Sequence, residues 1–397
     1  MKDNIFIHPG VKRPESAKTH ASVCSYFLIK YLSKHFNVLT ASDLSKDSRV
    51  IKAMGEAASK STVDTLSSEA SGGKSLVINS MADAIDVADK SNIKIDYIMS
   101  PFQRGFTRLS SKSRNKSELD RIARVKKKHN SKIVSVHDHS ALRDYYEDIL
   151  FTALPFKEER RIELLKRTNT DLIYMGWCAD HKVFVDKKKK NGDLNIVLDH
   201  AALQSFRVDA SPRYLKAIRR IKSKYPNKKI HLCRLKGGFE FYDFKKRKWT
   251  HDLSLRWWSS KYDKGWKNGS GCHIFQIAEC LNSSHIFCVT HVESCGLTGI
   301  EAFMSGCKVY IPSGEDTFQI WGSGGKTNTY KGTFLKKILL KPYMDYSTFD
   351  LKKTNELLGL LERDVSSFSV KSNRLKLMQN NSWESAALKI FYGLKNK

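Results

Sequence analysis

The chain has 397 residues, enough for two domains, and 41% of them are hydrophobic. It contains no apolar run of the roughly 18 residues that a membrane-spanning helix needs, and its first residues lack the apolar core of a signal peptide. Lysine and arginine outnumber the acids 69 to 41, and the net charge of +28 implies a polyanionic partner. We expect a cytoplasmic monomer that does not bind membranes.

The first half of the chain alternates short apolar segments with amphipathic ones. The apolar segments predict strands over Asn4–His8, Asn37–Thr40, Ser75–Asn79, Asp96–Ser100, Lys132–His137 and Asp171–Gly176. The amphipathic segments predict helices, among them Thr19–Lys34, Ala82–Lys90 and Lys116–His129. Repeated β-α units favour a parallel, doubly wound sheet.

A second α/β series follows the charged, turn-forming segment that begins at Lys187. Its strands are predicted over Leu194–Leu198, Lys229–Cys233, His285–Thr290 and Lys308–Ile311, with helices over Tyr214–Lys224 and from about Thr298. We predict an α/β fold with Rossmann-like doubly wound domains at 1–190 and 191–380, and a helix in 381–397 that packs back on the first domain. Ligands are expected in a cleft at the carboxyl ends of both sheets.

Two glutamates, Glu293 and Glu301, enclose seven residues where a predicted strand leads into a helix. Gly296 lets the backbone come close to a ligand, and the first amides of the helix suit a diphosphate. Glu301 lies one turn inside, where it can accept hydrogen bonds from the vicinal hydroxyls of a ribose. Two solvated glutamates are the alternative interpretation, which the glycine and the apolar residues around Glu301 disfavour.

The segment Glu293–Pro312 resembles the E-x7-E signature of retaining glycosyltransferases with the GT-B fold. The resemblance implies that Glu293 contacts the donor sugar and Glu301 the ribose of the nucleotide. It also implies cations for the departing diphosphate, for which Arg207 fits the family spacing, whereas Arg213 and Lys216 follow it too late and leave the second cation open. The remaining residues assigned to the donor are Gly10, Ser294, Cys295, Gly296, Leu297 and Thr298.

A His-Asp-His stretch, His137 to His139, closes the predicted strand Lys132–His137. The sequence VHDHSAL around it resembles the T-even phage DNA α-glucosyltransferases. That resemblance implies glycosylation of 5-hydroxymethylcytosine in duplex DNA after base flipping, a phage modification against host restriction. Asp138 then orients or deprotonates the acceptor hydroxyl, His137 contacts the donor sugar, and His139 supports Asp138 or touches DNA. The two histidines as metal ligands, without an obvious third ligand, and a purely structural role remain alternatives.

Two basic stretches are candidates for DNA contact. Ten basic residues and two acids lie between Phe102 and Lys128, where a loop is expected to rim the cleft and an aromatic ring can fill the gap left by a flipped base. The DNA contacts assigned here are Arg104, Arg108, Lys112 and Arg114, besides His139. The stretch Lys245–Lys267 adds four tryptophans. A solvated helix face and core packing are the respective alternatives.

The sequence therefore predicts a retaining hexosyl- or pentosyltransferase that uses a UDP-sugar and double-stranded DNA. UDP-glucose is the donor implied by the resemblance, and UDP-arabinose is an alternative. The motif neither requires nor excludes Mg²⁺, and no protein metal site is predicted. Two other functions stay open: a retaining transferase for a lipid-linked or cell-surface glycan at an anionic membrane, and a DNA-binding protein on an inactive glycosyltransferase scaffold.

Overall fold

The computed structural model divides the chain into two compact units, residues 1–176 with 387–397 and residues 177–386. Its description covers residues 2–8, 10, 12–13, 16–17, 20–40, 43, 93–101, 116–137, 147–152, 158–176, 178–187, 193–199, 210–235, 238–262, 272–290, 297–313, 346–350, 353–370, 378–379 and 381–396. The predicted strand Ser75–Asn79 and helix Ala82–Lys90 lie outside these residues.

The first unit contains a six-stranded parallel sheet. Its strands are β1 (Asn4–Ile7), β2 (Asn37–Leu39), β3 (Tyr97–Pro101), β4 (Lys132–His137), β5 (Ile149–Thr152) and β6 (Asp171–Tyr174), arranged in the order β2-β1-β3-β4-β5-β6. The helices described between them are α1 (His20–Leu32), α2 (Lys116–His129) and α3 (Glu158–Thr168). All residues of β3 and β5 are buried, as expected for parallel strands that are covered on both faces.

Two of these helices end at an asparagine in the left-handed conformation. Asn130 follows α2 with a φ of 53°, and Asn169 follows α3 with a φ of 57°. Asparagine tolerates this conformation better than most residues, and it stops a helix there. Each asparagine is then followed within two residues by the next strand, so these stops set where β4 and β6 begin.

The second unit contains a seven-stranded mixed sheet in the order β10-β9-β8-β7-β11-β12-β13. Its strands are β7 (Leu194–Leu198), β8 (Ile230–Leu235), β9 (Phe239–Asp243), β10 (Lys248–Thr250), β11 (Ile286–Cys288), β12 (Lys308–Ser313) and β13 (Tyr346–Asp350). Its helices are α4 (Ser211–Lys224), α5 (Ile274–Asn282), α6 (Leu297–Met304) and α7 (Thr354–Ser366). Five strands are parallel, while β9 pairs antiparallel with both β8 and β10.

The last described helix, α8 (Trp383–Lys395), returns the chain to the sheet of the first unit. The backbone carbonyl of Leu394 accepts a hydrogen bond from the Tyr97 hydroxyl at 3.3 Å, and Lys395 pairs with Asp3 at 2.7 Å. A Cβ atom at Gly393 would lie 3.0 Å from the side chains of Phe151 and Ile173. The glycine therefore lets α8 lie close against β5 and β6.

The predicted fold class, α/β with two Rossmann-like doubly wound domains as in GT-B proteins, is confirmed by the two sheets. β4, β7 and α2 have the predicted bounds. The sequence did not predict β5, the hairpin of β9 and β10, β13, or the helices α3, α5 and α7. Within the described residues, no helix has the length and apolar character needed to cross a membrane.

Candidate functional site

The carboxyl edge of the second sheet gathers polar groups from three neighbouring segments. Asp199 directly follows β7, and its backbone N–H donates to the carbonyl of Cys288 in β11 at 2.9 Å. The hydroxyl of Thr290, two residues after β11, donates to the carbonyl of Asp199. The N–H of Ala210, just before α4, donates to the carbonyl of Thr290 at 2.7 Å. This edge is where doubly wound sheets bind ligands.

Helix α6 is the element that follows β11, and it carries Glu301 in its second turn. Its residues 299–304 are all buried, so the helix lies within the core rather than on its surface. Gly306, with a φ of 77°, ends it, and the N–H of Cys307 returns to the carbonyl of Ala302 at 2.9 Å. This glycine stop turns the chain directly into β12.

The carboxyl group of Glu301 is buried, and one of its oxygens has no hydrogen-bond donor among the described residues. The residue is 2% exposed, and its Oε1 has no hydrogen-bond partner among the described residues. Burial, and to a smaller extent the nearby carboxylate of Asp199, raises the pKa of Glu301 well above its ordinary value of 4.5. A buried acceptor without a donor costs free energy, and a ligand that supplies hydroxyl donors recovers that cost.

The described residues include only some of the residues predicted to bind the donor. Leu297 is the first residue of α6, Thr298 is half-buried beside it, and Glu301 lies on the same helix. Arg213 is exposed in the first turn of α4, whose capping position holds Ala210 without a side-chain cap. The other predicted residues of this unit lie outside the described residues: Arg207, Glu293, Ser294, Cys295 and Gly296.

Gly10 belongs to the first unit, where the structure gives it a packing role. A Cβ atom at this position would lie 2.5 Å from Cγ2 of Thr40, closer than side chains tolerate. The backbone N–H and hydroxyl of Thr40 both donate to Asp43, at 2.9 and 2.8 Å. Close packing against Thr40 therefore accounts for the glycine, and its assignment to the donor stays a prediction.

On the acceptor side, His137 is the last residue of β4, where its backbone is in register with Thr152 of β5. It therefore lies at the carboxyl edge of the first sheet, as the sequence predicts for this segment. The remaining predicted residues fall outside the described residues: Asp138, His139, Arg104, Arg108, Lys112 and Arg114. No cluster of three or more metal-ligating side chains occurs within the described part of the chain.

Sequence reasoning missed Asp199 and Thr290. Asp199 directly follows β7, and Thr290 comes two residues after β11. Polar residues at the ends of parallel strands lie at the ligand edge, so this position could have identified both residues as candidates. Their link to each other depends on the register of β7 with β11, which the sequence does not show.

No protein-family model matches the chain, and no curated protein matches it significantly. Its fold resembles solved structures along nearly the whole length of both chains. HepE of Anabaena, crystallised with UDP and glucose, is 10% identical, with 100% of each chain covered and a TM-score of 0.48. The UDP-GlcNAc 2-epimerase of Methanocaldococcus jannaschii is 12% identical, with 100% of each chain covered and a TM-score of 0.46. The lipopolysaccharide outer core galactosyltransferase WaaB is 11% identical, with 99% of each covered and a TM-score of 0.46. Because these likenesses are weak, the functional proposal rests on the chain's own residues.

Proposed function

We propose that this protein is a retaining glycosyltransferase that moves a sugar from a UDP-sugar to 5-hydroxymethylcytosine, or a related hydroxylated pyrimidine, in duplex DNA. The observation that carries the proposal is the buried carboxyl group of Glu301, which ends the E-x7-E motif and whose Oε1 has no hydrogen-bond donor among the described residues. The donor half rests on this group, and the acceptor half rests on the His-Asp-His motif and the net charge.

Glu301 suits the ribose of a nucleotide. Two vicinal hydroxyls can donate to one carboxylate, and hydrogen bonds to a charged acceptor are stronger than neutral ones. Such donors also favour the ionised form, which opposes the burial that raises the pKa of Glu301. Because the described residues supply no donor to Oε1, we expect the nucleotide to supply one.

The diphosphate has candidate partners at the starts of two helices. The amides at the start of α6 precede Glu301 by about one turn, and α4 begins without a side-chain cap. The hydrogen bond from Ala210 to Thr290 holds the start of α4 at the strand ends that lead toward α6. Helix N-termini attract anions, and Arg213, exposed in the first turn of α4, adds positive charge for a departing diphosphate.

The acceptor half is supported by the first unit. β4 ends at His137, directly before Asp138, so the proposed base for the acceptor hydroxyl follows a strand end, as catalytic residues of such sheets do. Helix α2, which precedes β4, exposes Arg124, Lys127 and Lys128. A flipped base costs a few kcal/mol of lost stacking, and contacts of such cations with phosphates offset that cost.

The decisive experiment supplies the protein with duplex DNA that contains 5-hydroxymethylcytosine and with a panel of UDP-sugars. Digestion to nucleosides and mass spectrometry should show a nucleoside heavier by one hexose or pentose residue, and the NMR coupling constant of the product should show the anomer of the donor. Duplex DNA with unmodified cytosine is the control. No mass gain with any UDP-sugar would contradict the proposal, and transfer to a lipid-linked or polysaccharide acceptor instead would replace it with the membrane-glycan alternative.

Two variants separate the halves of the site. Glu301→Gln should weaken UDP binding, whereas Asp138→Asn should abolish transfer and leave UDP binding unchanged. Transfer by the wild type should also fall steeply with salt, since each phosphate contact contributes roughly 0.9 to the slope of log affinity against log salt. Salt-independent transfer would argue against DNA as the acceptor.

A further inference from the structure

A basic hairpin turn projects from the second sheet at the edge opposite to Glu301. Because β9 runs antiparallel to β8, with Leu235 opposite Phe239 and Cys233 opposite Phe241, β9 ends beside the start of β8. The turn at residues 244–247 therefore lies at the amino ends of the parallel strands. Asp199 and Glu301 belong to the carboxyl edge, which is roughly 17–20 Å away for strands of this length.

Four consecutive basic residues are exposed at this turn: Lys245, Lys246, Arg247 and Lys248. Within the described residues, these four side chains form one ion pair, between Lys246 and Asp243, and its Nζ–Oδ2 distance is long, 3.8 Å. Most of the charge at the turn is therefore not neutralised by the described residues, and an anion in solution can bind it.

The turn is held in one conformation by its own backbone. Oδ1 of Asp243 accepts hydrogen bonds from the N–H groups of Lys245 and Lys246, at 2.9 and 3.0 Å. These bonds, above all the one from Lys246, lower the pKa of Asp243. Arg247 closes the turn in the left-handed conformation, with a φ of 52°. An ordered turn loses less conformational entropy on binding than a disordered charged loop does.

Aromatic side chains brace the strands below the turn. Tyr242 and Trp249 form a cross-strand pair at 5.2 Å between ring centroids, and Phe244 lies 5.1 Å from Tyr242. The Arg234 guanidinium is 4.3 Å from the centre of the Trp249 ring and also pairs with Glu240. Trp249 thus packs within the hairpin and is half-buried, whereas the four basic side chains are exposed.

We infer that this hairpin is a contact for the phosphate backbone of duplex nucleic acid, separate from the proposed reaction site. The choice of duplex DNA as the polyanion rests on the proposed function. Clustered exposed cations are the electrostatic footprint of phosphate binding. The turn includes none of the exposed large hydrophobic side chains of the described residues, whereas membrane-inserting segments carry them.

The test measures binding alone, so it does not depend on sugar transfer. Fluorescence anisotropy of a labelled duplex with unmodified cytosine is titrated with protein at several salt concentrations. The variant combines Lys245→Gln, Lys246→Gln, Arg247→Asn and Lys248→Gln, where asparagine keeps the left-handed turn. The matched control removes four exposed charges elsewhere in the same unit: Lys182→Gln, Arg219→Gln, Arg220→Gln and Lys353→Gln. Circular dichroism and thermal unfolding confirm that both variants are folded.

The hairpin variant should bind the duplex on the order of tenfold or more weakly at low salt, with a salt slope smaller by about two to four. The control should change both values far less, and Lys245→Arg with Lys246→Arg and Lys248→Arg should bind like the wild type. If transfer is observed, the hairpin variant should raise the KM for DNA at unchanged kcat.

Equal binding by the hairpin variant and the control would overturn the inference, as would a wild type that does not bind the duplex at low salt. The same experiment with phosphatidylserine vesicles gives a third outcome. If the hairpin variant loses vesicle binding and keeps DNA binding, the hairpin is a membrane contact. A failure of sugar transfer with intact, hairpin-dependent duplex binding would contradict the proposed function and leave the DNA contact in place.

Discussion

The second unit buries two carboxylates in opposite ways. Asp364 of α7 is 1% exposed and accepts hydrogen bonds from Lys308 Nζ at 2.8 Å and from the Tyr310 hydroxyl. Glu301 of α6 is 2% exposed, has no partner for its Oε1 among the described residues, and lies near a second acid, Asp199. Both groups are removed from water to a similar degree, yet among the described residues Asp364 has hydrogen-bond donors and Oε1 of Glu301 has none.

This difference is what we expect if Asp364 holds the fold together and Glu301, as proposed, accepts hydrogen bonds from a nucleotide. Two donors on β12, Lys308 and Tyr310, satisfy the charge of Asp364. Burial, and the negative charge of Asp364, raise the pKa of Tyr310, so its hydroxyl keeps the proton that it donates. Around Glu301, the described residues contribute a like charge, that of Asp199, and no donor to Oε1. Substitutions at the two positions should therefore move different quantities: stability at Asp364, and nucleotide binding at Glu301.

The largest effect is expected from Asp364→Ala, which leaves the ammonium of Lys308 buried and unpaired. The free energy of unfolding should fall by about 3–5 kcal/mol, measured by urea denaturation. Lys308→Met combined with Asp364→Asn should recover most of that loss, because asparagine can still accept from Tyr310. A loss below about 1 kcal/mol in the single variant would mean that the buried pair does not stabilise the fold.

Glu301→Gln should weaken UDP binding by roughly 10- to 100-fold, since a hydrogen bond to a charged group contributes about 1.5–3 kcal/mol. Below pH 4.5, where the carboxyl group is protonated in both the folded and the unfolded chain, its unfolding free energy should stay close to that of the wild type, because Oε1 has no donor among the described residues to lose. Isothermal titration calorimetry with UDP measures the first effect, and Glu356→Gln, an exposed carboxylate of α7, is the matched control. Wild-type affinity in the Glu301 variant would remove the contrast with Asp364.

The pH dependence of stability should also separate Glu301 from its glutamine variant. A raised pKa means that the folded protein keeps a proton that the unfolded chain has released above pH 4.5. The stabilisation is complete below that pH and is lost as the pH rises toward the folded-state value, by up to about 1.4 kcal/mol per pH unit. Denaturation of both proteins across this range should give a difference that declines with pH. A difference independent of pH would show that Glu301 is already ionised.

The smallest effect is expected from Asp199→Asn. Removing the like charge lowers the pKa of Glu301, although burial, the larger cause, keeps it raised. The pH range in which the stability difference declines should therefore move down, without disappearing. The same denaturation experiment measures this pH range. If the range moves up or stays in place, the two carboxylates do not interact.

Much of the fold follows from the sequence, because buried parallel strands are apolar runs between turn residues. Leu194–Leu198 is such a run, and it was predicted with its observed bounds. The hairpin was missed because Lys248–Thr250 has three residues, one of them apolar, and its pairing with β9 is a tertiary contact. Helix α3 was missed because most of Glu158–Thr168 is charged, which hides the apolar periodicity.

The sequence predicts a chemistry for the candidate site, which stays a prediction, but it does not predict the environment of the side chains. The E-x7-E spacing, together with Gly296 and the apolar residues around Glu301, predicted a ligand-binding role for Glu301, and the preceding strand end predicted a position at the ligand edge of the sheet. Whether a carboxylate is solvated, paired or isolated depends on which elements cover it. The sequence has an Asp at position 199 and an Asp at position 364, and nothing local shows that one lies near Glu301 while the other binds Lys308.

The position of α8 has a consequence for how the protein is made. Leu394 and Lys395 of α8 bind Tyr97 and Asp3 of the first unit. Tyr97 and Asp3 leave the ribosome long before α8 does. The first domain to be translated is thus finished only after the second domain has been synthesised. Until then its α8-facing surface, with Phe151 and Ile173, stays uncovered, and chains that stop before α8 should be targets for chaperones and proteases.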